Sequence, residues 1–191
     1  MSAQSHRSDP RILGRRTLEL DHRCLAELLV PGARVLDVGC GTGSITAGIA
    51  KAVGPQGHVV GIDRDPGLLE LARQEHAGVA NLRFEAGDAT TLCQMAEYDF
   101  VTSARTLQWI PEPVLAIQNM KRALKPSGIL VVLDYNHVHN AWVPEPPEEF
   151  KLFCVLSASL RKPVPIGISF LPAAAEPMFG RSSTAARSPI C

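Results

Sequence analysis

The stretch VLDVGCGTG, residues 35–43, decides the fold of this chain. Its first four positions are apolar or β-branched except for one acid, Asp37, and glycine then stands at every second position. Such a pattern predicts a buried strand that runs into a tight loop and then into a helix over 44–51. Since glycine has no side chain and a helix N-terminus presents free N–H groups, a ligand with an anionic group can lie against this backbone.

The spacing of the glycines narrows the class of ligand. It is G-x-G-x-G, whereas dinucleotide-binding folds carry G-x-G-x-x-G at the same place. The spacing therefore points away from NAD and toward S-adenosylmethionine. A nicotinamide oxidoreductase stays open as an alternative that rests on shared architecture, and so does a tight turn that binds no ligand.

Composition limits the class of protein. With 191 residues, 46% of them apolar and 20% charged, the chain is expected to form one globular domain. The 19 basic and 19 acidic side chains cancel, which argues against a nucleic-acid partner, because such proteins carry a basic excess. No run reaches membrane-spanning length, and the five scattered cysteines form neither a zinc nor a disulfide pattern. We therefore expect a soluble cytoplasmic protein with reduced thiols, no metal and no membrane partner, whose oligomeric state stays open.

Short apolar runs alternate with helical periodicities between about residues 18 and 135. This β-α-β-α rhythm predicts a doubly wound, Rossmann-like α/β fold with a mostly parallel sheet and helices on both faces. The run 129–133 is apolar at every position, as expected for a strand buried on both faces. Strands are predicted over 34–38, 58–62, 82–86, 98–103 and 129–133, and helices over 18–29, 44–51, 67–74 and 114–124, with a turn at 125–128.

Acidic residues stand where successive predicted strands end. Asp63 follows the second strand and could accept both hydroxyls of a ribose, or else cap a helix, although Asp65 is better placed as the cap. Asp88 follows the third strand and could accept from the exocyclic amine of an adenine, or cap a turn. Asp37, near the end of the first strand, could hold an ammonium group. Because parallel strands end at one edge of the sheet, these acids and the glycine loop predict a nucleoside-binding site there.

Taken together, the motifs resemble the class I S-adenosylmethionine-dependent methyltransferases, most closely the small-molecule enzymes with a generic methyltransferase domain. The matching segments, which span about residues 10–140, are 37–43 (first motif), 61–63 (ribose-binding acid), 87–89 (adenine side), 98–103 (fourth strand), 107–110 (methionine end) and 124–130 (turn before the fifth strand). The resemblance implies S-adenosylmethionine as the cofactor. It implies cofactor contacts at Asp37, Gly39, Cys40, Gly41, Gly43, Asp63, Arg64, Asp88, Ala89, Ser103 and Leu107.

The resemblance also implies an activity, the in-line transfer of the sulfonium methyl group to a small-molecule acceptor, which depends mainly on alignment. An acceptor hydroxyl or ammonium would need a base, and His137 is the candidate catalytic residue, with His139 beside it. A plain polar loop histidine is the alternative. Arg15 or Arg16 could meet the methionine carboxylate or form a solvated turn, and Cys40 suits a buried small residue better than a nucleophile. The alternative function is a cofactor-binding protein that is catalytically impaired or inactive.

The C-terminal part departs from the family pattern. Relatives usually add two more strands, the last of them antiparallel, whereas 161–191 shows no convincing pair, and eight of the fifteen prolines lie from Pro144 onward. We therefore predict an N-terminal segment over 1–17, an S-adenosylmethionine-binding domain over 18–160, and an irregular, truncated or disordered tail over 161–191. Missing C-terminal strands would leave the fifth strand or its neighbour as an exposed edge.

Overall fold

The computed structural model describes residues 9–135 and the backbone of residues 171–172. In these ranges the helices are α1 (Pro10–Leu13), α2 (Leu18–Asp21), α3 (Arg23–Ala26), α4 (Ser44–Val53), α5 (Pro66–Glu75) and α6 (Pro113–Ala123). The strands are β1 (Arg34–Val38), β2 (His58–Asp63), β3 (Leu82–Ala86), β4 (Tyr98–Ala104), β5 (Leu124–Leu133) and β6 (Leu171–Pro172), and a 3₁₀ helix covers Leu107–Trp109. None of the helices in this part of the chain is long and apolar enough to cross a bilayer.

The strands form one sheet in the order β3-β2-β1-β4-β5-β6. The first five are parallel, and β6 runs antiparallel to β5. From β1 the chain winds outward to β3 and then returns to the other side of β1 with β4 and β5, so the direction of winding reverses between β1 and β4. The predicted doubly wound, mostly parallel α/β fold is thereby confirmed. Folds of this kind bind ligands beside the carboxyl ends of the strands at such a reversal.

Both faces of β1 are buried, because successive strand side chains point to opposite faces of the sheet. On one face, Leu36 and Val38 belong to a buried cluster with Met120 of α6. On the other face, Val35 belongs to a second cluster with Ile49 of α4. All five side chains are at most 1% exposed, and burying each contributes about 2 kcal/mol. This two-sided burial fixes β1 in the middle of the sheet and so positions the glycine loop that follows it.

The prediction of one continuous helix over 18–29 is wrong, because the structure has two short helices there, α2 and α3. His22 between them has a φ of −147° and a ψ of 46°, outside the helical region. Its ring is 1% exposed, and Nε2 lies 2.7 Å from Thr102 Oγ1 in β4. A buried hydrogen bond to the sheet therefore overrides the helical pattern of the leucines.

The predicted turn at 125–128 lies inside β5 rather than before it. Leu124 pairs with Tyr98 and Ile129 pairs with Phe100. Residues 125–128 therefore leave the pairing with β4 and the chain then rejoins it. The other strands and helices predicted between residues 34 and 124 are confirmed, with ends that agree within two residues. Their boundaries could be predicted because glycine, proline or an acid stands at most of them.

Beyond β5, the structure describes one short strand within the segment predicted to be irregular. Leu171 and Pro172 of β6 pair with Leu130 and Ile129, so backbone covers this part of the β5 edge. The edge expected to be exposed is therefore partly protected. The candidate base His137, its neighbour His139 and the rest of 161–191 lie outside the described residues.

Candidate functional site

A cavity of about 410 Å³ lies at the carboxyl ends of the parallel strands, within the size range of small-molecule sites. Each of the five strands brings a residue to it at or just after its end. These residues are Gly39, Asp63, Asp88, Arg105 and Tyr135, in the order of β1 to β5. The parallel topology therefore gathers residues that lie far apart in the chain, as the sequence predicted for the first three strands.

The three loop glycines have positive φ angles, 82° at Gly39, 57° at Gly41 and 77° at Gly43. A Cβ at Gly39 would lie 2.3 Å from Thr106 Oγ1, and a Cβ at Gly43 would lie 2.4 Å from Phe84 Cζ. Both positions therefore require glycine for φ and for packing. Gly39 and Gly41 line the cavity with bare backbone, whereas Gly43 packs behind its wall.

The carboxylate of Asp63 holds the glycine loop in place. Its Oδ2 accepts from Gly41 N at 2.8 Å, and its Oδ1 accepts from Asp65 N at 2.9 Å. Each carboxylate oxygen can accept two hydrogen bonds, so Asp63 keeps capacity toward the cavity that it lines. Asp65 caps α5 by accepting from Gly67 N at 2.8 Å, which confirms the predicted cap.

Asp37 is a buried acid in the cavity wall. It is 3% exposed, and its Oδ2 accepts from Thr46 Oγ1 of α4 at 2.7 Å. Burial raises the pKa of this carboxyl to about 6, although the Thr46 hydroxyl lowers it in part. Burial also raises the pKa of the Cys40 thiol, which keeps that thiol neutral and agrees with a packing role.

Asp88, Ala89 and Arg64 line the cavity beside β2 and β3. Asp88 Oδ1 accepts from Thr90 N at 2.8 Å and from Thr90 Oγ1 at 2.7 Å, and the Thr90 hydroxyl lowers the pKa of this carboxyl. The turn-capping alternative for Asp88 is thus present in the structure. Because Thr90 occupies Oδ1, the second carboxylate oxygen is the one left for a ligand.

Two predicted contact residues lie behind the cavity wall. Ser103 is 1% exposed, and its Oγ donates to Val38 O of β1 at 2.9 Å. Leu107 is 6% exposed and belongs to the buried cluster that contains Met120. Ser103 and Leu107, like Gly43, are not among the described residues that line the cavity, and their cofactor contacts stay predictions. Motif spacing places a residue near a strand end but does not fix the face that its side chain takes.

On the side of the cavity next to β4 and β5, the sequence patterns named Arg16 and the segment 107–110 but missed Arg105 and Tyr135. Arg105 directly follows β4, and its Nη2 pairs with Asp21 Oδ1 at 3.1 Å. Its guanidinium lies over the Tyr135 ring, 5.4 Å from the centroid. Arg16 and Trp109 line the same cavity. No local pattern marks Arg105, because its partners come from α2 and from the end of β5.

The cavity divides chemically along the sheet. Beside β1 to β3 it offers carboxylates and bare loop backbone, which suit the hydroxyl, amine and ammonium groups of a nucleoside-containing ligand. Beside β4 and β5 it offers guanidinium groups and aromatic rings, which suit an organic group with negative charge or a planar ring. One ligand or two adjacent ligands can therefore lie across the end of β1.

Relatives of this chain are methyltransferases. A family model described as a methyltransferase domain matches residues 29–161. A demethylmenaquinone methyltransferase of Staphylococcus aureus (strain JH9) is 39% identical over 104 residues, which cover 54% of this chain and 43% of that relative. The chain therefore spans less than half the length of this curated relative.

Solved structures share the fold. A SAM-dependent methyltransferase from Aquifex aeolicus superposes with a TM-score of 0.61 at 24% identity, over 80% of this chain and 87% of that one. The 4+2 cyclase SpnF superposes with a TM-score of 0.54 at 25% identity, over 76% of this chain and 60% of that one. The likeness to the Aquifex protein establishes the fold, and the second protein is named for a different reaction.

Proposed function

The chain belongs to the class I S-adenosylmethionine-dependent methyltransferase family, and from this premise we propose that it transfers the methyl group of S-adenosylmethionine to a small-molecule acceptor. One observation carries the proposal, the hydrogen bond from Gly41 N to Asp63 Oδ2 at 2.8 Å. It joins the glycine loop after β1 to the acid after β2, so that the two strongest sequence motifs meet in one cavity wall.

The residues of the cavity fit this cofactor. Gly39 and Gly41 line the cavity with bare loop backbone, so a ligand can approach their main-chain groups directly. Asp63 keeps acceptor capacity for ribose hydroxyls, and Asp88 keeps one carboxylate oxygen for an adenine amine. Asp37 is buried close to the loop and suits the ammonium group. We therefore assign these residues to holding the cofactor.

Bound S-adenosylmethionine supplies a methyl group that its sulfonium charge has already activated. The chain itself has to hold the cofactor and the acceptor, to orient them toward each other and to exclude water. Asp63 holds the loop from one side, and Thr106 donates to Gly39 O at 3.4 Å from the other. Trp109 lines the cavity beside β4. His137 stays the candidate base for an acceptor that must lose a proton.

The acceptor is proposed to be a small organic molecule. The Staphylococcus relative, named for demethylmenaquinone, supports this class, and so does the aromatic surface of Trp109 and Tyr135 at the cavity. The net charge of zero gives no support to a nucleic-acid acceptor. A cytoplasmic location and the division at residues 17 and 160 stay predictions.

Calorimetry with S-adenosylhomocysteine tests the cofactor site. Replacing Asp63 by Asn is expected to weaken binding about 10- to 100-fold, because it removes charge-assisted hydrogen bonds to the loop and to the ligand. Asp99→Asn is the matched control, since Asp99 also accepts a backbone bond, from Arg34 N at 2.8 Å, but at the opposite edge of the sheet. Equal affinities in the two variants would refute the assignment.

Turnover needs a second measurement. S-adenosylmethionine labelled in its methyl group is incubated with the protein and a panel of quinols, phenols, carboxylic acids, amines and thiols. Label that appears in an acceptor with the wild type and falls with Asp63→Asn supports methyl transfer.

A cofactor-binding protein without methyl transfer is the second candidate. The structural likeness to a protein named as a cyclase favours it. Tight S-adenosylhomocysteine binding with no labelled product from any acceptor would support this candidate over the first.

A further inference from the structure

The cavity beside β4 contains a buried arginine that is only partly satisfied. Arg105 is 16% exposed in its side chain and uses Nη2 for Asp21, whereas its Nη1 is buried and makes no hydrogen bond with any of the described residues. Asp21 is engaged elsewhere as well, because its Oδ2 accepts from Thr17 N at 3.0 Å. Leaving a buried charged donor without an acceptor is unfavourable, because the group has lost its hydration without gaining a partner. An acceptor atom that reaches Arg105 from the cavity would recover this free energy.

A second arginine lines the same cavity. Arg16 is partly buried and makes no ion pair within the described part of the chain. Burial lowers the pKa of the Arg16 guanidinium the most, and the nearby Arg105 cation lowers it further. Asp21 and Tyr135 act in the opposite direction but do not offset these effects. The two cations therefore repel each other across one corner of the cavity.

We propose that Arg16 and Arg105 form a subsite for a carboxylate group, an inference that rests on the proposed function. A guanidinium presents paired N–H donors that match the two oxygens of a carboxylate. The carboxylate has two possible sources, an acceptor molecule and the amino-acid part of the cofactor. The subsite lies across β1 from Asp63 and next to the Tyr135 ring, which favours an acceptor that carries its carboxylate on a planar ring.

The test uses Arg16→Gln, because Arg16 makes no ion pair between residues 9 and 135 whose loss would destabilise the fold. Arg15→Gln is the matched control, since it removes the same charge from an exposed neighbour outside the cavity lining. Arg105→Lys is the second variant, which keeps the charge that pairs with Asp21 but loses the planar fork.

Four probes separate the two sources. S-adenosylhomocysteine is compared with S-adenosyl-3-thiopropylamine, which lacks only the carboxylate. Benzoate is then titrated into the protein loaded with S-adenosylhomocysteine, with benzamide as its neutral counterpart. Calorimetry gives the affinity of each probe for the wild type and for the three variants.

We expect benzoate, and not benzamide, to bind the loaded wild type. We also expect Arg16→Gln, but not Arg15→Gln, to lower the affinity for benzoate at least tenfold. This result makes the acceptor the source. If Arg16→Gln binds S-adenosylhomocysteine ten times more weakly but binds the thiopropylamine as the wild type does, the subsite is supported and the cofactor is the source of the carboxylate. If Arg16→Gln matches Arg15→Gln with every probe, the subsite is refuted, although the proposed function stands as long as the wild type binds S-adenosylhomocysteine.

Discussion

The two sides of the cavity are completed in different ways. Beside β1 to β3, the acids already accept from backbone groups of the protein, as Asp63 does from Gly41 in the neighbouring loop and Asp88 from Thr90 in its own. Beside β4 and β5, Arg105 keeps a buried N–H group that has no acceptor in the part of the chain that the structure describes. The first side is therefore set in shape before any ligand arrives, whereas the second has bonding capacity that a ligand would complete. Three predictions test this contrast.

The largest effect is expected from Gly39→Ala, which should abolish S-adenosylhomocysteine binding and destabilise the fold by about 4 kcal/mol. The new Cβ would have a φ of 82° and would overlap the Thr106 side chain at 2.3 Å. Urea unfolding and calorimetry measure the two effects.

Gly32→Ala is the control for backbone strain alone. Gly32 has a nearly equal φ of 80°, but nothing lies within 4 Å of its Cβ position. We expect it to cost only about 1 kcal/mol. Adding Thr106→Ala to Gly39→Ala should recover part of the stability. If the two alanine variants lose equal stability and the addition has no effect, the loop is not held by this contact.

The next largest effect is expected in the pH dependence of stability, to which two buried groups contribute in opposite directions. Asp37, with a pKa raised by burial to about 6, contributes stability that is full below pH 3.8 and lost as the pH rises through 6. His22, with a pKa lowered by burial and by Arg105 to about 4, contributes stability that is full above pH 6.5 and lost as the pH falls through 4. Each contribution is about 3 kcal/mol, so the two largely cancel in the wild type between pH 4 and 6.

Single variants separate these contributions. In Asp37→Asn the free energy of unfolding should rise by about 3 kcal/mol from pH 4 to pH 6.5, because the His22 dependence remains. In His22→Gln, which keeps a donor for Thr102, it should fall over the same range. Urea unfolding at half-unit pH intervals measures both slopes, and slopes of the same sign would contradict the assignment.

The smallest effect is expected at Asp88. Asp88→Ala should cost about 1 kcal/mol of stability, because Thr90 N and Oγ1 lose their acceptor. It should also weaken S-adenosylhomocysteine about fivefold if the second carboxylate oxygen meets the adenine. Thr90→Val loses only the hydroxyl and should leave the affinity unchanged. If both variants bind as the wild type does, Asp88 only caps its turn.

The side of the cavity beside β1 to β3 could be predicted because each of its motifs consists of residues that are neighbours in the sequence. Gly39, Gly41 and Asp63 stand directly after apolar runs, so strand, loop and ligand-facing position follow from neighbouring residues. Ser103 and Leu107 could not be placed by the same reasoning. They stand in and near β4, but their side chains turn to the backbone of β1 and to the core behind the cavity.

The interruption at His22 has a similar cause. The leucine spacing of 18–29 predicts one helix, and a local pattern cannot include a hydrogen bond to Thr102, eighty positions along the chain. The buried imidazole needs that partner, so the backbone leaves the helical region to provide it.

The sequence by itself determined the α/β class, the parallel strands and the loop with its acids, because these depend on hydrophobic period and on residues next to one another. Only the tertiary structure decided that Thr106 closes against Gly39 and that Arg16 and Arg105 share one corner. Such pairs come together through the order of the strands and the ion pair that joins Asp21 of α2 to Arg105. Because the contacts join residues distant in the chain, no spacing in the sequence encodes them.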